Sequence, residues 1–156
     1  MPQRNMENEM LSSKLVDHLK SRGWWFDDVT EDYRNALSDL DVDESSDFAQ
    51  FYLHAEDGPT FVSRNREIYQ ICWFLVNSKD YSASLDRTHG GLNLPDEYMP
   101  LDNFQGEYGY FYDKNSEAVL RLGLGTEWQE FHEGTLTPQW PDFNSFLEWY
   151  FELTDH

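Results

Sequence analysis

Cationic side chains are scarce in this chain. Eleven Lys and Arg stand against 30 Asp and Glu, a formal net charge of −19. That balance leaves no basic footprint for a phosphate backbone, and it disfavours an anionic membrane surface for the same reason; neither direct nucleic-acid binding nor membrane binding is expected. Cysteine occurs once, at Cys72, so no internal disulfide can form. Cys72 lies in Ile71-Cys72-Trp73-Phe74-Leu75-Val76, where a buried, inert thiol is expected in preference to a reactive one. This six-residue run is the longest apolar stretch, against about 20 residues for a membrane-spanning helix. Residues Met1 to Glu7 lack the apolar region of a signal peptide, and no Asn-x-Ser/Thr sequon occurs. A soluble protein of a reducing compartment, the cytoplasm, is the expectation.

Aromatic residues are abundant instead. They make up 17% of the 156 residues, within a hydrophobic fraction of only 39%. Each Trp, Tyr or Phe buries a large area, so few positions can build a core for a single domain of this length. Residues 1–9 are expected to be a flexible N-terminus and residues 10–156 one α+β domain. The acids are unevenly spread: residues 27–57 hold eleven of them against Arg34 alone, a balance of −10. Such a segment either keeps the protein soluble or meets a basic protein partner, whose opposite field speeds encounter and sets register.

Helical spacing recurs at Leu11, Leu15, Val16 and Leu19, with Gly23 placed as a C-terminal cap. Thr30 stands as the N-cap of a second helix, with Glu31 and Asp32 in its first turn and a stripe of Val29, Tyr33, Ala36, Leu37 and Leu40. A third helix starts at Ser45 or Ser46, carries Phe48, Phe51, Tyr52 and Ala55, and ends at Asp57-Gly58-Pro59. Residues 67–76 fit a helix or a buried strand; the balance tips towards helix. A long loop is expected over 77–96. Tyr108, Tyr110 and Tyr112 then alternate along a strand, Lys114 to Glu117 form a turn, and Val119 to Leu124 form an antiparallel partner. Trp128 and Phe131 suggest a short strand or turn. A closing helix starts near Asp142 with Phe143, Phe146, Leu147, Tyr150 and Phe151 on one face.

No motif for chemistry stands out. Asp39 to Asp47 offers oxygen ligands at four EF-hand positions, but Glu44 replaces the turn glycine and Gln50 the closing bidentate Glu, so no calcium site is expected. His54, Glu56 and Asp57 sit close together without a second His or Cys, and read as polar surface at a helix end. His89-Gly90-Gly91 and Gly123-Leu124-Gly125 lack the residues of a phosphate loop. No nucleophile elbow occurs, and in so acidic a chain no carboxylate pair can be singled out as hydrolytic. No catalytic residue, metal ligand or cofactor is therefore assigned. Trp24-Trp25-Phe26-Asp27-Asp28 is more specific. In an extended segment two adjacent Trp cannot both face one core. Either one is partly exposed among Asp27, Asp28, Glu31 and Asp32, as a hot spot for a basic partner would be, or both are buried in a turn.

Three segments together resemble the SUKH superfamily. They are Glu44 to Gly58 as its second helix and turn, Met99 to Asp113 with Val119 to Leu122 as its Gly-containing aromatic strand pair, and Asp142-Phe143-Asn144-Ser145-Phe146-Leu147 as its closing helix. The similarity covers residues 28–152. The chain departs from the pattern where Leu-Pro is absent before the third helix, where Asp57-Gly58 replaces Asn-Gly, and where Asp142 replaces a helix-starting Ser. The superfamily comprises bacterial immunity proteins against polymorphic toxins, and fungal cell-wall-synthesis regulators share its fold. The resemblance implies N-terminal helices, a curved mostly antiparallel sheet and a C-terminal helix, with no catalytic residues.

The expected function is a non-enzymatic immunity protein that occludes a cognate toxin, a basic nuclease being the natural target of so acidic a surface. A regulatory or scaffold module and an undetected hydrolase are the alternatives. The expected contact residues are Trp24, Trp25, Asp27, Asp28, Glu31, Asp32, Asp39, Asp41, Asp43, Glu44, Glu56 and Asp57.

Overall fold

Thr30, Ser46 and Asp142 each start a helix in the same way. Their side-chain oxygens accept from Tyr33 N–H (3.3 Å), Ala49 N–H (3.1 Å) and Ser145 N–H (2.7 Å), satisfying backbone donors that the helix itself leaves free. The computed structural model describes residues 11–104 and 107–154; the flexible N-terminus expected over residues 1–9 lies outside them. The order of elements is α1 (Ser13–Ser21), α2 (Glu31–Asp39), α3 (Asp47–His54), β1 (Thr60–Ser63), β2 (Arg66–Tyr69), α4 (Ile71–Asn77), α5 (Asp80–Asp86), β3 (Tyr98–Pro100), β4 (Tyr108–Asp113), β5 (Val119–Gly123), α6 (Thr126–Glu133) and α7 (Phe143–Tyr150). A single π-helical turn, Arg87–Gly91, follows α5. The class is α+β, with helices at both ends. The strands form two small antiparallel sheets, β1-β2 and β3-β4-β5. Leu101 joins them: Tyr69 N–H donates to its carbonyl and its own N–H donates to Tyr110 O, each at 2.8 Å.

Three expectations need correction. The segment 77–96 is not one loop, because α5 and the π turn occupy residues 80–91 of it. Their fully buried residues are Tyr81, Ser84 and Thr88, with Leu85 partly buried beside them, too polar a stripe for apolar periodicity to reveal. Trp128 and Phe131 lie on a helix, α6, closed by Gly134 at φ +78°. None of the α6 residues is fully buried, so its pattern is faint. Residues 67–76 are divided: the first half completes strand β2, and Gln70 then caps α4 through Trp73 N–H (3.2 Å).

The core sits between α3, α7 and the inner face of β4. Phe48, Phe51, Tyr52, Phe143 and Phe146 are all fully buried. Phe48 stacks on Tyr112 with ring centroids 4.1 Å apart and an interplanar angle of 11°, and meets Phe143 edge-on at 4.9 Å. Asp47, only 6% exposed, ties α3 to α7 by accepting from Phe48 N–H (2.7 Å) and Asn144 N–H (2.9 Å). The opposite face of β4 is apolar as well. Phe111 and Leu122 pack with Leu94 beneath α6, so both faces of the three-stranded sheet are covered. Gly109 is required where β4 passes the Asp102 loop, because a Cβ there would lie 2.8 Å from the Phe104 ring and 3.2 Å from Phe104 Cα. No helix among the described residues is long and apolar enough to cross a membrane.

Candidate functional site

The chain between α1 and α2 runs antiparallel beside the end of α3. Phe26 N–H donates to His54 O (2.7 Å) and Glu56 N–H donates to Trp24 O (2.9 Å), with Trp25 and Ala55 paired between them. This short ladder separates the two tryptophans. Trp24 turns to the core, near Phe61 (5.8 Å) and Phe151 (6.0 Å). Trp25 lies on the other side, stacked on His54 at 4.8 Å and 14°. The Trp25 indole N–H donates to Asp27 (3.1 Å), and His54 Nδ1–H donates to Phe26 O (2.7 Å). Both tryptophans are half-buried, an arrangement between the two that the sequence allows.

The result is a groove of about 630 Å³ between this ladder, α2 and the end of α4. Trp25, Tyr33 and Leu53 form its floor. Phe26 and Val76, exposed by 52% and 42%, stand at its edge. Its carboxylates are Asp27, Asp28, Asp32 and Glu56, with no Lys or Arg in the lining. Among the described residues none of the four is in an ion pair. Glu56 accepts a 2.5 Å hydrogen bond from the Tyr33 hydroxyl. Burial first, and Glu56 next, raise the Tyr33 phenol well above its ordinary range, so the hydroxyl stays a neutral donor. Behind the groove Cys72 is fully buried, its thiol pushed up to about 12 by burial and then by Glu56. Such a thiol carries negligible thiolate at neutral pH.

Five of the twelve expected contact residues, Trp25, Asp27, Asp28, Asp32 and Glu56, are brought together here. Glu31 is exposed in the first turn of α2, beside the groove but outside its lining. Asp57 is exposed in the turn before β1. Asp39, Asp41, Asp43 and Glu44 belong to the far end of α2 and the link to α3, roughly 13 Å of helix away from Glu31. Two of them have structural roles there. Glu44 pairs with Arg34 (2.8 Å), and Asp43 holds Ser45 through N–H (3.0 Å) and hydroxyl (2.9 Å). Trp24 belongs to the core side. The sequence reading missed Phe26, Tyr33, His54 and Val76 as groove residues. Phe26 could have been found from the extended geometry of Trp24-Trp25-Phe26, but Val76 comes from a different element and carried no local signal.

His54, Glu56 and Asp57 do not converge: His54 stacks on Trp25, Glu56 bonds Tyr33, and Asp57 faces solvent. Among the described residues no three His, Cys, Asp or Glu side chains gather as a metal site would need. No family model, curated protein or solved structure matches the chain.

Proposed function

We propose that this protein is a SUKH-like immunity protein, a non-enzymatic binder that neutralises a cognate toxin by covering a basic surface on it. The observation that carries the reading is the groove beside α2. Four carboxylates, none in an ion pair among the described residues, surround exposed Phe26 and Val76 over a largely aromatic floor. An apolar centre with a charged rim is the anatomy of a protein–protein hot spot, and the sign of the rim selects a cationic partner. The nucleic-acid-binding face of a nuclease has that sign, because its substrate is a phosphate backbone. Seating a negative protein there excludes the substrate without any chemistry by the inhibitor.

Growth rescue tests the proposal. The product of the neighbouring gene, taken as the candidate toxin, is co-expressed with the native protein or with a variant carrying Asp27→Lys, Asp28→Lys, Glu31→Lys and Asp32→Lys. The native protein restores growth and the variant does not. Equal rescue by a folded variant removes this surface from the account, and binding of a host protein with no toxic activity instead supports a regulatory module.

A further inference from the structure

A second cleft, of about 450 Å³, opens on the opposite chemistry. It is lined by Arg64, Arg66 and Arg121 with Tyr108, Trp140 and Trp149 as its main aromatic walls, and it has no carboxylate in its lining. In a chain with 11 cations and a net charge of −19, three arginines in one cleft are a strong local reversal.

Each guanidinium is held in place by the fold. Arg66, 8% exposed, donates to Asp102 (2.5 Å) and to Tyr108 O, and its guanidinium lies 4.1 Å from the Tyr108 ring centroid. Arg121 is anchored from outside the cleft by Glu127 (2.8 Å). Its backbone exchanges hydrogen bonds with the Gln139 amide, which fixes the segment bearing Trp140 against β5. Arg64 is different. It sits at the tip of the β1-β2 hairpin, where it and Asn65 have φ of +54° and +59°, the left-handed pair that a tight hairpin turn requires and that Gly normally supplies. That turn folds Arg64 back over Trp149, 4.2 Å from the ring centroid, with Nε donating to Trp149 O (2.7 Å). Among the described residues Arg64 has no carboxylate partner. Asp102 and Glu127 offset Arg66 and Arg121, which leaves the cleft one uncompensated positive charge beside two tryptophans 4.9 Å apart.

We infer that this cleft binds a small anion that combines one planar ring system with one carboxylate or phosphate group. The guanidinium fork matches the oxyanion, and the indoles of Trp140 and Trp149 offer the apolar surface for the ring. The volume lies within the range of small-molecule pockets. A nucleic-acid polymer is not the ligand, since its further phosphates would meet the acidic field of the rest of the protein. This inference is independent of the toxin-binding reading.

The test is an NMR titration of the full chain with adenosine 5′-monophosphate and, separately, phenylacetate, each up to about 5 mM, following the assigned indole N–H signals of Trp140 and Trp149. Both signals shift saturably with at least one ligand, while adenosine and inorganic phosphate alone bind at least about tenfold more weakly. Response to the nucleotide only identifies a phosphate ligand, response to phenylacetate only a carboxylate, and response to both the shared ring-and-oxyanion chemistry. Arg64→Gln, an exposed tip substitution, weakens binding about tenfold with the remaining spectrum unchanged; Arg121→Gln serves as the second variant. No saturable shift of either tryptophan, or equal binding by both folded variants, overturns the inference.

Discussion

Replacing Gln70 with methionine is expected to destabilise the protein by about 3–5 kcal/mol. Gln70 is fully buried at the junction of β2 and α4. Its amide N–H₂ donates to Tyr52 O (2.9 Å) and Ala55 O (2.7 Å), the carbonyls at the end of α3, while its carbonyl accepts from Trp73 N–H (3.2 Å) to start α4. One side chain thus closes one helix and opens another. Methionine conserves length and nearly conserves volume, so little of the loss comes from a cavity. What remains is two helix-end carbonyls and one N–H deprived of partners in the interior. Each costs about 1–3 kcal/mol, and some recover part of that by relaxing. The stability of a domain is only about 5–15 kcal/mol, so the variant sits close to its unfolding threshold. Urea denaturation followed by tryptophan fluorescence measures the effect as a fall in midpoint with an unchanged slope. Gln70→Glu is expected to be worse, because a carboxylate would face the two carbonyls with no hydrogen to give. A loss below about 1 kcal/mol for the methionine variant would refute the reasoning, since it would mean that these backbone groups find other partners.

Two further stability predictions rest on buried charge. Burial raises the Asp47 carboxyl to about 6, against two backbone N–H donors that pull it down. Its folded value lies above its unfolded one, so between pH 4 and 6 the folded state holds a proton that the unfolded state has released, and stability falls as pH rises through that window. The contribution is about 3 kcal/mol; Asp47→Asn flattens this part of the melting-temperature profile, and an unchanged profile would contradict it. Asp102→Ala strands the buried guanidinium of Arg66 and costs about 3–5 kcal/mol by urea denaturation, whereas a cost under about 1 kcal/mol would show that Arg66 finds water or another partner.

Helices α2, α3 and α7 are legible in the sequence because two signals coincide in each, an apolar stripe and a side-chain N-cap. Strands β4 and β5 are legible for a similar reason, the alternation of Tyr108, Tyr110 and Tyr112 followed by a polar turn. The hairpin β1-β2 is hidden because its turn is Arg64-Asn65, without glycine, and because Arg66, a charged residue, occupies a buried position. That position is tolerable only because Asp102, 36 residues later, supplies the counter-charge, and local sequence cannot show such a partner. The acidic groove was partly legible. Density of acids along residues 27–57 marked the region, but density in sequence is not density in space. Nine residues of α2 carry Asp39 to Glu44 away from Asp27, Asp28 and Asp32, and the apolar edge of the groove required Val76 from α4 to arrive beside Phe26. The arginine cleft was illegible for the same reason, since Arg64 and Arg66 come from the β1-β2 hairpin and Arg121 from the distant strand β5.

The most direct test of the central claim is the affinity of the purified protein for the purified product of the neighbouring gene, the proposed toxin, by calorimetry, for native protein and for the variant with Lys at positions 27, 28, 31 and 32. Tight binding by the native protein is expected, with a loss on the order of a hundredfold or more in the variant and a steep weakening with salt. Equal affinity of the two proteins, insensitive to salt, would contradict the assignment of this groove as the toxin-binding surface.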